Sequence, residues 1–193
     1  MPKPMGRSDL QKLLDEKKAA KKHLFDECWP DSARTMNKHP LVVLFTTKEK
    51  ANKELVFKLL EGLFILPMHT VVVSEDEPGE NVHHPSSRIT WFNPESGRNA
   101  KKLDDILLAA DMAVIFDEKQ STIHTLFDKG VIPVGHEKSP HLQNYHPNDE
   151  TGNSFTYSDK GPWGVFAAIV RAYETFQFPY DWQHIIRSIL KVR

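Results

Sequence analysis

Chemistry needs acids, bases, cations or thiolates held close together, and this sequence offers few groupings that qualify. Asp117 and Glu118 follow an apolar run and precede a helix start. Such a pair can do acid–base work or can cap the helix that follows. Neighbouring residues in extended chain face opposite ways, which favours capping. His136, His141 and His146 recur at intervals of five, and together with His83 and His84 they raise the question of zinc. Five-residue intervals in a Pro-containing loop do not converge on one ion, and no thiolate pair accompanies them. Surface histidines are the expectation, and no metal is assigned. Cys28, the one cysteine, precedes the first strand-like run, where a nucleophile has no use. The segment Thr46-Thr-Lys-Glu-Lys-Ala51 also follows an apolar run and opens a helix. A dinucleotide-binding fold needs glycines here, so that backbone can approach phosphate at a helix N-terminus. It has none.

The elements that must position these residues alternate regularly. Leu41-Val-Val-Leu-Phe45 is a continuous apolar run, the pattern of a strand buried on both faces. Residues 48–65 carry Leu55, Val56, Leu59, Leu60 and Leu63 at helical spacing. Further strands are expected at 70–73, 88–92, 112–116 and 131–134, with a last short one near 154–157. Helices are expected at 99–110 and 121–129, and a polar, Pro-containing loop fills 75–87. Residues 162–178 and 181–192 read as closing helices separated by Pro179. The face formed by Trp182, Ile185, Ile186 and Ile189 must bury against the chain's own sheet or against a second copy. Ahead of the strands, Asp9 to Phe25 is a helix that Ser8 can cap; its Lys17, Lys18, Lys21 and Lys22 read as a solvated face. Residues 1–38 are thus an arm and helix, and residues 39–193 an α/β domain with an open, mainly parallel Rossmann-like sheet flanked by helices.

Composition excludes several classes. With 25 basic against 26 acidic residues, no overall field draws the chain to nucleic acid or to an acidic membrane. The longest apolar run, Leu63 to Met68, is far too short to span a bilayer. No secretory pattern opens the sequence, and a single cysteine suits a reducing compartment, so a cytoplasmic location is expected.

Several segments resemble, in order, the second domain of bacterial glycogen and plant starch synthases. Lys17-Lys-Ala-Ala-Lys-Lys-His-Leu-Phe25 followed by Pro40-Leu-Val-Val-Leu44 is similar to the helix, spacer and first strand that open that domain. Leu107-Leu-Ala-Ala-Asp-Met-Ala-Val-Ile115, Gly130-Val-Ile-Pro-Val134 and Thr151-Gly-Asn-Ser-Phe155 resemble later strand motifs, and Trp182-Gln-His-Ile-Ile186 a late helix. The resemblance spans about residues 15–193. It implies the GT-B arrangement of two Rossmann-like domains, with a nucleotide sugar held mainly by the second. Within that resemblance, the Arg and Lys that neutralise the donor diphosphate fall on Thr47 and Asn52, with Lys53 one residue away. The paired glutamates fall on Asp117 and Thr125, and a Thr-Gly-Gly turn, whose amides meet phosphate, on Ser139, Pro140 and His141.

Those substitutions set the functional expectation. A diphosphate without its cations forgoes charge-assisted hydrogen bonds worth about 1.5–3 kcal/mol each. The chain therefore reads as a glycosyltransferase-like domain that does not transfer sugar alone and is retained to bind a glycan or a protein. The alternative is an enzyme half that transfers sugar from a nucleotide-sugar donor to a glycan when paired with a separately encoded first domain; a homodimer is the other partner expected, through the Trp182 face. In that case Lys48, Lys50 and Lys53 supply charge to the nucleotide sugar and Asp117 keeps the first carboxylate's role. A nucleotide-binding regulator is a third class. No cofactor is expected beyond a nucleotide-sugar ligand.

Overall fold

The computed structural model describes residues 7–46, 49–75, 88–95, 100–116 and 119–191. Among these residues six strands, β1 (Leu41–Phe45), β2 (His69–Val73), β3 (Ile89–Phe92), β4 (Met112–Val114), β5 (Ile132–His136) and β6 (Phe155–Tyr157), form one sheet in the order β3-β2-β1-β4-β5-β6. Every pairing is parallel. β1 and β2 are buried on both faces for nearly their whole length, as their runs of Val and Leu require. The chain builds outward from β1 through β2 to β3, then returns and builds the other way through β4, β5 and β6. The reversal leaves a switch point between β1 and β4. β4 is shorter than its apolar run suggests, although Ile115 N–H still reaches Val134 O at 3.0 Å beyond its end.

Among the described residues six helices cover the sheet: α1 (Arg7–Cys28), α2 (Lys50–Leu63), α3 (Ala100–Ala109), α4 (Gln120–Asp128), α5 (Pro162–Phe176) and α6 (Pro179–Lys191). With this strand order, the right-handed rule for parallel crossovers assigns α2 to one face and α3 and α4 to the other. α5 packs on α2, α1 on α3, and α6 on α4. Pro179 does not separate two helices at a distance. It is the first residue of α6, where a missing N–H costs nothing. A 3-10 turn at Pro30–Thr35, unsignalled by apolar spacing, joins α1 to β1. The face formed by Trp182, Ile185, Ile186 and Ile189 is buried within the chain; Trp182 stacks on Phe155 at 6.4 Å and meets Phe176 edge-on at 5.2 Å. No helix among the described residues is long and apolar enough to cross a membrane.

The lysine-rich face of α1 is not simply solvated. Lys18 and Lys22 are exposed, but Lys17 and Lys21, one turn apart, are buried. Lys17 Nζ donates to Ala110 O at 2.6 Å, Lys129 O at 3.0 Å and Leu108 O at 3.1 Å. A single ammonium thus caps the carboxyl ends of both α3 and α4, where the helix dipoles favour a cation. Burial lowers its pKa from 10.5 to about 8, opposed by the nearby Asp111 carboxylate. Lys21 pairs with Asp111 at 2.6 Å, and the same carboxylate oxygen accepts the Leu41 N–H at 2.7 Å, tying α1 to the start of β1. Beyond α4, Gly130 takes φ of 62° and closes the helix: its N–H reaches Phe127 O at 3.0 Å, and the Val131 N–H reaches Leu126 O at 2.9 Å.

Candidate functional site

In an open parallel sheet a ligand lies outside the carboxyl ends of the strands at the switch point, because loops from the two halves diverge there. A cleft of about 540 Å³ occupies that position. Phe45, Ile115 and Phe116, from the ends of β1 and β4, supply its apolar wall. Thr46, Asn52 and Thr122 supply neutral polar groups, and Glu49, Glu75 and Lys119 the charges. The loop after β1 is drawn toward β2: Thr46 N–H and Oγ1 reach Val73 O at 2.9 and 3.2 Å.

Two helices begin at this cleft. Glu49 is the residue before α2 and Lys119 the residue before α4, both in extended conformation. Neither contributes a side-chain hydrogen bond to its helix end. Both helix ends direct positive dipole toward the opening, a field that suits an anion. The charges on the described wall oppose it, with two carboxylates against one ammonium. Glycine, which would let a phosphate approach the backbone, is absent from the described wall.

A second hollow of about 350 Å³ shares Glu49, Asn52 and Phe116 with the cleft and continues along α2 to α5. Glu54 and Lys58 line it from α2, and Tyr157, Lys160 and Pro162 from the other side. Tyr157 is fixed beneath it by a 3.2 Å hydrogen bond from its hydroxyl to Ile115 O.

The residues singled out from the sequence fall in different places. Thr47, Lys48, Asp117, Glu118, His83 and His84 lie outside the described residues. Asn52 is only 8% exposed and lines both hollows, and Lys53 follows it on α2. Thr125 is exposed on α4 with its hydroxyl turned back to Ser121 O at 2.9 Å. Ser139 is buried in the turn after β5, its hydroxyl without a partner; His141 is half-buried, its ring 6.2 Å from that of His124. None of these last three lines the cleft. His136 is not a surface histidine. It is buried in β5, where Nδ1 accepts the Lys138 N–H at 3.2 Å, so Nε2 carries the proton and donates to Ser158 O at 3.1 Å. Among the described residues no group of three or more His, Cys, Asp or Glu could hold a metal ion. Glu75 and Lys119 were not singled out as candidates. Their only signal was their place after strands β2 and β4, because side-chain direction at a loop is invisible to periodicity.

A hollow of about 290 Å³ at the opposite, amino-terminal end of the strands, between α1 and α6, holds Lys17, Lys21 and Asp111. A buried amine with a lowered pKa invites a catalytic reading. The three carbonyls around Lys17 take all three of its N–H donors, which makes it a clamp between helices. No protein-family model and no curated protein matches the chain.

Proposed function

We propose that the chain is a glycosyltransferase-like domain whose switch-point cleft receives a neutral sugar ligand, and that it does not transfer sugar by itself. The observation that carries this reading is the charge on the described cleft wall: Glu49 and Glu75 against Lys119 alone. A nucleotide-sugar diphosphate carries about two negative charges and needs organised cations or backbone amides. A glycan needs hydroxyl partners and an apolar floor, which Thr46, Asn52, Thr122 and Phe116 supply. The order of motifs resembling the second domain of glycogen and starch synthases supports sugar as the ligand class. Isothermal titration with maltoheptaose tests it: the chain gives saturable heat, and Asn52→Leu abolishes it. Equal binding by Asn52→Leu would contradict the cleft reading.

A second reading keeps the chain as an enzyme half. The observation in its favour is the pair of helix N-termini, of α2 and α4, that open on the cleft. It requires a separately encoded first domain or a second copy, and tight binding of a nucleotide sugar.

A further inference from the structure

Trp163 is 79% exposed on the first turn of α5, an unusual position for the largest apolar side chain. Its ring is supported from one side. Phe166 meets it edge-on with centroids 6.3 Å apart, and Phe166 is seated on Gly62 of α2, where an added Cβ would lie 2.8 Å from the Phe166 ring. The turn before it is also tied: Gly161 N–H donates to Asp159 Oδ1 at 2.8 Å. The chain neighbour Pro162 and nearby Lys160 line the α2–α5 hollow, which shares Glu49, Asn52 and Phe116 with the switch-point cleft.

We infer that Trp163 is the stacking platform of an oligosaccharide groove that runs from the cleft along α2 to the start of α5. The charges of the hollow decide the class of occupant. Glu49 and Glu54 are balanced by Lys58 and Lys160, so neither an anion nor a cation is favoured there. An apolar peptide would want continuous apolar surface, and these four charged residues interrupt it. A pyranose carries an apolar C–H face for an indole and a rim of hydroxyls for carboxylates and ammoniums. Because the hollow and the cleft share Glu49, Asn52 and Phe116 as walls, a ligand that fills both is a chain of sugars and not a monosaccharide. The inference rests on the sugar-binding reading of the cleft and extends it to a residue outside it.

The test is maltoheptaose and glucose binding to the wild-type chain, Trp163→Ala, Trp163→Phe and Asn52→Leu. Intrinsic fluorescence is read alongside, because Trp29 and Trp182 are buried and Trp91 is half-buried, which leaves Trp163 as the main target of acrylamide. The expected result is that maltoheptaose shields the wild type from acrylamide and glucose does not. Trp163→Ala weakens maltoheptaose binding by at least about tenfold and Trp163→Phe by less. Binding lost in Asn52→Leu but unchanged in Trp163→Ala would overturn the groove and leave the cleft reading standing. Binding lost in Trp163→Ala but unchanged in Asn52→Leu would confine the sugar to the start of α5 and overturn both the cleft reading and a groove that begins at the cleft. Absence of any maltoheptaose binding overturns both. Shielding that depends on protein concentration instead of sugar would assign Trp163 to self-association and overturn the groove.

Discussion

His69 opens β2 at 1% exposure, with its ring 4.5 Å from that of Phe25 and 4.8 Å from that of Trp29, and neither ring nitrogen has a hydrogen-bond partner. A proton here would place a charge in an apolar box, and the groups around it make matters worse: His39, Arg88 and Lys21, the last already paired with Asp111. Burial first, then these neighbours, lower the His69 pKa from 6.5 to about 4. The unfolded chain therefore binds a proton below pH 6.5 that the folded chain refuses until about pH 4. Stability contributed by neutral His69 is complete above pH 6.5, declines as pH falls through that window, and levels off below about pH 4. Linkage across the whole shift gives about 2 kcal/mol lost at pH 5; allowing for solvent screening we expect about 1–2 kcal/mol. The assay is urea unfolding followed by far-ultraviolet circular dichroism at several values between pH 7.5 and pH 4.5. Carboxylates titrate there too, so the comparison is with His69→Phe, which keeps the ring and removes the proton site. The wild type should lose about 1–2 kcal/mol more than the variant on going from pH 7.5 to pH 5. Parallel losses in the two proteins would refute the reasoning.

Three further outcomes follow from the packing. Lys17→Met removes the ammonium that caps α3 and α4; thermal melting should show a loss of about 2 kcal/mol, because three stranded carbonyls outweigh relief from burying a charge. Gly152→Ala should cost at least about 2 kcal/mol, since φ of 113° disfavours any side chain and an added Cβ would collide with the Asn144 carbonyl; an unchanged melting temperature would contradict it. Trp182→Ala should cost about 3–5 kcal/mol by emptying the contact between α6, Phe155 and Phe176, read as a shift in the urea midpoint.

Much of the fold was legible because burial on both faces leaves a plain mark. Leu41–Phe45 is a continuous apolar run, Val71–Val73 a shorter one, and the alternation with helical stripes led directly to a parallel sheet. What stayed hidden depends on partners far away in sequence. Lys17 and Lys21 look like surface residues, and only the carbonyls and carboxylate some 90 residues on, with the α4 end farther still, explain why they are buried. Pro179 reads as a breaker because a proline suits either the end of one helix or the start of the next. The site was legible as a place and less so as a set of residues. The sheet pattern led to the loops after β1 and β4, and Asn52 does line the cleft. Spacing within a motif also pointed to Thr125, Ser139 and His141, which stand away from it. The charges that decide the cleft's chemistry, Glu49, Glu75 and Lys119, occupy loops and helix starts, where neither period applies.

The cleft proposed here for a neutral sugar should reject a nucleotide-sugar diphosphate. Isothermal titration of the full chain with ADP-, UDP- and GDP-glucose, at physiological ionic strength, tests it most directly. Dissociation constants should be no tighter than about millimolar, a binding free energy of only about −4 kcal/mol. A low-micromolar constant for any of the three would contradict it and favour the enzyme-half reading.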